Sequence, residues 1–531
     1  MVRPRRKEGS NVNIGNLLTS SAEARPDNLA TVCGDQAVTY RQFDSRVNRL
    51  ANALRTLDVQ PRENVAILMV NCPQMLEVMF AAFKAGCGAV PINFRLHPNE
   101  SAYIIDNSQA SVLFVTTDFV DQVDQIREQI PHIRSVITVG SPSSSDLLDY
   151  EPVLAAESDS FEAFTAKPDD VAWLFYTSGT TGVPKGAMLT HRNLWGMTDR
   201  FFSDVHPHCG DAEAVLHAAP LSHGSGLYGL PNVGRAAKHV FLESASFDPD
   251  IVLETIESQR VTNFFAAPAM INRLVQCPAM DRVDVSSIEA LVYGGAPMMV
   301  EDLQRAIARF PNMVQIYGLG ETPMTITSLS QRDHVLHGSE AQTKRLASAG
   351  IRRSNVEVEV VDGNDTFLSN GQMGEIVTRS DVMTKGYWRD EQATATTLRM
   401  GWLHTGDLGY FDEDGYLFLM DRSKDMIISG GENIYPREIE EVLIQHQAVR
   451  EVAVIGVPDQ EWGEAIKAVI ALVPGVAATE TELIEFCKSR IASYKKPKSV
   501  DFIDELPKNN YGKIVKRELR EPYWLDHDRN I

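Results

Sequence analysis

The residues that could do chemistry gather in short polar stretches rich in glycine. The densest is Tyr176-Thr-Ser-Gly-Thr-Thr-Gly-Val-Pro-Lys-Gly-Ala187, where Thr177, Ser178, Thr180 and Thr181 supply hydroxyls, Gly179 and Gly182 open the backbone, and Lys185 adds a cation. Glycine lets N–H groups approach an anion closely, hydroxyls add donors and lysine adds a point charge, so this loop suits a phosphate. An apolar, strand-like run ends at Tyr176 and fixes the register of the lysine, which a flexible Ser/Gly surface loop would not need. It is not a Walker loop, because Pro184 precedes the lysine and Gly186 stands where that motif needs Ser or Thr.

The elements that must position this loop alternate between strand and helix patterns almost from the start, the signature of α/β layering. Phe43, Val47, Leu50 and Leu54 recur at helical spacing over 40–57, and a second helical stretch covers Met75–Lys84. Strand-like runs stand at 65–70, 112–115 and 136–139, and again at 171–176, 214–218, 239–242, 262–266, 290–293 and 313–317. Several of these end in Gly-rich turns, where open α/β sheets hold ligands. Residues 141–146 read as a surface loop. The composition changes near 421, after a strand-like 415–420. Beyond it come a helix starting at Pro436, strands at 452–455 and 468–471, a helix near 481–491 and a strand near 500–503. The fold class is therefore α/β: a large multi-sheet N-terminal domain over 1–423 and a small C-terminal α+β domain over 424–531.

Bulk properties narrow the partners. The 531 residues are 44% hydrophobic and carry a formal charge of −21, which argues for a globular protein and against a nucleic-acid partner. No run approaches the roughly 18 apolar residues of a membrane span. The basic start, Met1-Val-Arg-Pro-Arg-Arg-Lys, lacks the apolar run of a secretion signal. The six cysteines (Cys33, Cys72, Cys87, Cys209, Cys277, Cys487) form no CxxC pair and show no His partner at metal spacing, so reduced thiols in the cytoplasm are expected. A homodimer is left open.

With the phosphate loop come further motifs in a fixed order: Pro220-Leu-Ser-His223-Gly, Tyr293-Gly-Gly-Ala-Pro297, Tyr317-Gly-Leu-Gly-Glu321-Thr, Gly401-Trp-Leu-His-Thr-Gly-Asp407, Asp421-Arg422-Ser-Lys424-Asp, Ser429-Gly-Gly-Glu-Asn433 and Pro507-Lys-Asn-Asn-Tyr-Gly-Lys513. This series resembles the acyl-adenylate-forming superfamily of acyl-CoA synthetases, aryl-CoA ligases, luciferases and peptide-synthetase adenylation domains, over nearly the whole chain. The resemblance implies an AMP-forming acid–thiol ligase. A carboxylic acid and ATP·Mg²⁺ give acyl-AMP and pyrophosphate, and coenzyme A then takes the acyl group. Fatty acid metabolism is one setting it suggests. The other outcomes it allows are a stand-alone enzyme that loads a carrier protein and a luciferase-like oxidoreductase.

The resemblance also implies roles. Joining two anions requires positive charge at the transition state, and Lys513 is the expected catalytic lysine of a C-terminal domain that swings about the hinge residue Lys424. Glu321 is the expected Mg²⁺ ligand. ATP is expected to meet Thr177, Ser178, Gly179, Thr180, Thr181 and Lys185 at its phosphates. Gly295, Ala296, Pro297, Tyr317, Gly318, Gly320 and Thr322 should surround it further, with Asp407 and Arg422 near the ribose. Gly320 departs from the usual Thr before the metal-binding Glu, and Thr322 or Thr181 is expected to compensate. His223 should gate the acyl tunnel, with Gly224, Ala266 and Gly294 leaving room for a chain or ring. Gly430, Gly431, Trp462, Tyr494, Lys496 and Lys498 are the expected CoA contacts. Lys496 and Lys498 flank Pro497, so an extended backbone would aim both ammonium groups the same way.

Overall fold

The computed structural model describes residues 12–140, 147–177, 184–296, 298–422, 425–429, 432–459, 462–491, 493–509 and 513–525. The loop expected at 141–146 lies outside them. Four sheets organise the chain. The first has nine strands, in spatial order Gln36–Thr39, Leu29–Cys33, Lys238–Phe241, Ala214–Leu216, Asn263–Ala266, Ala290–Tyr293, Met313–Tyr317, Thr327–Leu329 and Ile351–Arg352. From Leu29–Cys33 to Met313–Tyr317 the pairing is parallel. The second has seven strands, from Leu148–Asp149 through Ser135–Val139, Ala110–Thr116, Asn64–Leu68 and Gly88–Pro91 to the antiparallel hairpin Val171–Thr177/Lys185–Thr190.

Helices fill the space between these sheets, because their strands are apolar on both faces. Ala290 and Val292 face the shared central core while Leu291 and Tyr293 face an outer one. In the second sheet Val65 and Ile67 point inward and Ala66 and Leu68 outward. The helix Tyr40–Thr56 lies in the central layer and starts on a capping box: Gln42 N–H donates to the Thr39 hydroxyl and the Gln42 side-chain Oε1 accepts from Thr39 N–H. Every strand and helix expected between 40 and 317 is present within a few residues of its expected limits.

A third, antiparallel sheet joins Glu357–Val361, Gly374–Arg379, Trp402–Phe411, Leu398–Arg399 and Leu417–Arg422. It packs against the first through a cluster that includes Tyr317, Ile326, Ile376 and Phe411. The C-terminal strands Glu432–Ile434, Ile427–Ser429, Gly463–Leu472, Val449–Asp459 and Ser499–Phe502 form a sheet of their own. Helices Pro436–Leu443 and Glu480–Lys488 cover one of its faces, and Lys516–Trp524, not anticipated from the sequence, covers the other. Among the described residues no helix is long and apolar enough to cross a membrane.

Candidate active site

The parallel strands of the first sheet end together and deliver the glycine motifs to one edge. Asn263–Ala266, Ala290–Tyr293 and Met313–Tyr317 are consecutive neighbours, so Ala266, Gly294, Gly295, Ala296, Tyr317 and Gly318 share that edge. There Tyr317, only 8% exposed, donates its hydroxyl to Asp407 Oδ2 at 2.8 Å. Asp407 sits in the third sheet, directly across the ladder from Arg422. Its turn is pinned: Asp407 N–H donates to Thr405 Oγ1 (3.1 Å) and Gly406 N–H to Glu375 Oε1 (2.9 Å). Two sheets thus bring an aromatic face, a carboxylate and the backbone of Arg422 together.

A second line of groups starts at the hairpin Val171–Thr177/Lys185–Thr190. Thr177 and Lys185 oppose each other across the hairpin of the second sheet. The Lys185 ammonium lies 5.6 Å from the centre of the Tyr387 ring, and the Tyr387 hydroxyl donates to Glu321 Oε1 at 2.7 Å. Glu321 is 8% exposed, and its backbone oxygen accepts from Thr384 N–H (2.7 Å). Burial first, and the Glu321 carboxylate second, hold the Tyr387 phenol well above its ordinary pKa, so it stays a donor. Tyr387 escaped the sequence reading. Its segment runs beside Lys185–Thr190 without being a regular strand, bonded through Met188 N–H to Gly386 O and Trp388 N–H to Gly186 O. The one local signal, an aromatic pair after Lys385-Gly386, is common in any sequence.

Gly320 stands close to this line. A Cβ there would meet Phe175 Cδ1 at 2.6 Å and Thr177 Cγ2 at 2.7 Å, so the usual threonine would displace the strand that carries the loop. Thr322 is fully buried and its hydroxyl accepts from Leu319 N–H at 3.0 Å, which shapes the turn that presents Glu321. Its side chain is thereby turned inward.

His223 precedes the helix Gly224–Val233. Its ring meets Phe175 edge to face at 4.9 Å and its Nδ1 lies 3.2 Å from Ser222 Oγ. The residue is half-buried. Burial pushes its pKa down to about 3, so the imidazole is neutral at working pH. A Cβ on Gly224 would meet Phe265 at 2.7 Å and Met324 Sδ at 2.9 Å, and Phe265 meets Tyr228 edge to face. Asn71, in the bend after the strand Asn64–Leu68, pins the segment before His223: its amide donates to the His217 and Ala219 carbonyls (3.0 and 2.8 Å) and its oxygen accepts from Leu221 N–H (2.9 Å).

The C-terminal positions form separate groups. Lys513 lies in a backbone clasp in which its N–H donates to Asn509 Oδ1 (3.0 Å) and its carbonyl accepts from Asn509 N–H (2.8 Å). Lys498 pairs with Asp459 at 3.2 Å and lies 5.2 Å from the Trp462 ring, itself 44% exposed. Lys496 instead folds back to donate to Ser493 O at 3.3 Å. The two lysines therefore do not share a direction: Lys496 is drawn back onto the turn Ser493–Lys495 and Lys498 is held towards Asp459. Ser178, Gly179, Thr180, Thr181, Pro297, Lys424, Gly430 and Gly431 lie outside the described residues, as do the side chains of Arg422 and Tyr494.

Comparison with known proteins decides the family. Residues 18–388 match the AMP-binding enzyme family, and residues 438–513 match the AMP-binding enzyme C-terminal domain. The chain belongs to the AMP-binding enzyme family. Among its relatives, a feruloyl-CoA synthase of Amycolatopsis sp. is 38% identical over 517 residues, covering 97% of this chain and 99% of the relative. The fatty acid–[acyl-carrier-protein] ligase ScoC of Streptomyces coeruleorubidus is 33% identical, with 96% of each chain covered. A solved relative, the anthranilate CoA ligase AuaEII in complex with anthranoyl-AMP, superposes with a TM-score of 0.88 at 27% identity, covering 96% of this chain and 97% of that one. This AMP-binding enzyme thus shares its architecture with an adenylate-forming ligase along almost its full length.

Proposed function

We propose that this AMP-binding enzyme is an AMP-forming acid–CoA ligase whose acid is planar and apolar, an aryl or arylalkenoic acid. The observation that carries the ligase reading is the line from Lys185 through Tyr387 to Glu321, set beside the Tyr317–Asp407 pair. One end offers positive charge for phosphates and the other a buried carboxylate. A flat ring and a second carboxylate beside them suit adenine and ribose. A single carboxylate acting with substrate phosphates is the ordinary protein share of a Mg²⁺ site, so Glu321 fits that ion. Bound there, the ion would neutralise phosphate charge.

In the first half-reaction a carboxylate oxygen of the acid attacks the α-phosphorus and pyrophosphate leaves. Lys185 and Lys513 supply the charge that the two approaching anions need. Asp407 accepts from the ribose hydroxyls, with Arg422 alongside. His223, neutral, cannot attract the acid by charge; it orients the carboxylate through one ring N–H and bounds the tunnel. In the second half-reaction the CoA thiol attacks the carbonyl carbon and AMP leaves with the bridging oxygen. We place the domain boundary at 423/424, with Lys424 as the hinge that exchanges Lys513 for the CoA surface around Trp462 and Lys498.

The aromatic walls (Phe175, His223, Tyr228, Phe265) favour a ring over a flexible chain, in keeping with the similarity to a feruloyl-CoA synthase. A fatty acid with a carrier-protein thiol is the second reading, favoured by the similarity to ScoC. The acidic composition and reduced thiols suit the cytoplasm. The test is AMP release across benzoates, cinnamates and fatty acids of graded length, each with CoA or a carrier protein as acceptor. The ring-bearing acids with CoA should give the highest kcat/KM, and a maximum at a long-chain fatty acid would refute the acyl assignment.

A further inference from the structure

A cluster of potential metal ligands lies away from the site described above, beside the start of the strand Ala214–Leu216. His206, Cys209 and Glu213 are each buried, and one ligating atom from each lies within 4.8 Å of the other two. The sequence reading found no His partner at metal spacing for any cysteine, yet His206 stands three positions before Cys209. Local structure brings them together. The π-helical turn Phe201–Val205 closes when His206 N–H donates to Phe201 O at 2.9 Å, and a tighter turn follows with Cys209 N–H on His206 O at 3.1 Å. Single π turns are uncommon and recur at functional sites.

The polar atoms are arranged for a cation. His206 Nε2 lies 3.2 Å from Glu213 Oε1, yet it is buried without a well-formed hydrogen bond. The other Glu213 oxygen is fixed by the Thr262 hydroxyl and by Asn263 Nδ2 (3.0 Å), so the carboxylate is oriented from behind, as ligating carboxylates are. Asn232 Oδ1 accepts from Asn263 Nδ2 at 3.2 Å and lies 4.0 Å from Cys209 Sγ, the oxygen donor nearest that sulfur in the hydrogen bonds of the cluster. A tetrahedral zinc site with metal–ligand distances of about 2.0–2.3 Å has ligand–ligand edges of roughly 3.3–3.7 Å, so closing this cluster from separations within 4.8 Å needs its atoms to approach by up to roughly 1.5 Å. Thiolate and carboxylate together balance a divalent charge.

We infer that His206, Cys209 and Glu213 form a structural binding site for a divalent borderline metal, Zn²⁺, with Asn232 completing the shell. Binding releases the Cys209 thiol proton to solvent and forms a metal–thiolate bond; the metal enters and stays as M²⁺, and no redox change occurs. Of the three, Glu213 also lines an open groove of about 690 Å³ at this end of the first sheet, with Asn28, Asp211, Lys238 and Arg260, which gives a metal a route to that carboxylate. The strand begins at this cluster and ends towards His223, so the metal ties the far end of the sheet to the helix before it and takes no part in ligation chemistry.

The test uses the full chain, stripped with chelator and then titrated with Zn²⁺ alone. One equivalent should remain after gel filtration, with release of a proton and a rise in Tm. Cys209→Ser and His206→Gln should each reduce retention at least tenfold while acyl-CoA formation stays near wild type. Co²⁺ loading of the wild-type chain gives a second readout that needs no variant: a thiolate-to-cobalt charge-transfer band and a tetrahedral visible spectrum. Absence of retained zinc in the stripped wild-type chain, retention unchanged in both variants, or a cobalt spectrum of octahedral, thiolate-free type would each overturn the site.

Discussion

Replacing Tyr387 by Phe removes one hydroxyl and leaves the ring beneath Lys185. In the structure that hydroxyl is 2.7 Å from Glu321 Oε1, in a place where Glu321 is only 8% exposed. A hydrogen bond to a charged group contributes about 1.5–3 kcal/mol, and about 1.4 kcal/mol is a factor of ten in rate. If that orientation is needed only where phosphate charge is handled, Tyr387→Phe should lower kcat/KM for ATP–pyrophosphate exchange roughly ten- to hundredfold. It should also raise the Mg²⁺ concentration needed for half-maximal rate. Thiolysis of a supplied acyl-AMP, which involves no pyrophosphate, should stay within about twofold. Tyr387→Leu also removes the ring from Lys185, and a cation–π contact of about 0.5–2 kcal/mol predicts a further loss of roughly two- to thirtyfold. The assay is isotope exchange between pyrophosphate and ATP beside a thiolysis assay, with Tm recorded for both variants. Wild-type exchange by Tyr387→Phe, or equal damage to both half-reactions, would refute the reasoning.

Three further outcomes follow from the same geometry. Lys513→Ala should depress adenylation by at least about a hundredfold and leave thiolysis of acyl-AMP nearly intact, because its charge is needed only at the phosphate; the paired half-reaction assays check this. Lys498→Ala should raise the KM for CoA and narrow the preference for CoA over dephospho-CoA, whereas Lys496→Ala, whose ammonium is turned to its own backbone, should do neither. Burial holds His191 and His334 at a pKa of about 4 and His217 at about 3, all below the ordinary 6.5. The unfolded chain therefore binds protons below about pH 6.5 that the folded chain refuses until about pH 3–4, so stability is whole above 6.5 and falls as pH drops. Each histidine contributes up to about 1.4 kcal/mol per pH unit in that window, and the urea midpoint should decline steadily from pH 7 to 5; a flat profile would contradict it.

The strands and central helices were legible because their patterns are local. Val65–Leu68 and Ala290–Tyr293 are apolar on both faces, and the Thr39/Gln42 cap marks a helix start within four residues. The candidate roles of Glu321 and Asp407 came from the ordered series of motifs, and the structure places Glu321 in the turn after Met313–Tyr317 and Asp407 within Trp402–Phe411. Tyr387 was not legible, since its partners Lys185 and Glu321 are distant in sequence and meet it only because an irregular segment packs along a hairpin. The His206–Cys209–Glu213 group needed a π turn, which leaves no periodic signal. The shared direction expected of Lys496 and Lys498 failed because their partners, Ser493 O and Asp459, lie apart, and helix Lys516–Trp524 was hidden by its polar surface and internal Pro522.

The central claim is that the acid's carboxylate attacks the α-phosphorus of ATP before any thiol is acylated. It is tested most directly with an acid labelled by ¹⁸O in both carboxylate oxygens, turned over with ATP and CoA, followed by mass analysis of the phosphorus products. One labelled oxygen should appear in AMP, with none in pyrophosphate, because the bridging oxygen leaves with the nucleotide when the thiol attacks the carbonyl carbon. Label in orthophosphate with formation of ADP would mean an acyl phosphate, and unlabelled AMP would mean that no acyl-adenylate forms; either result contradicts the account.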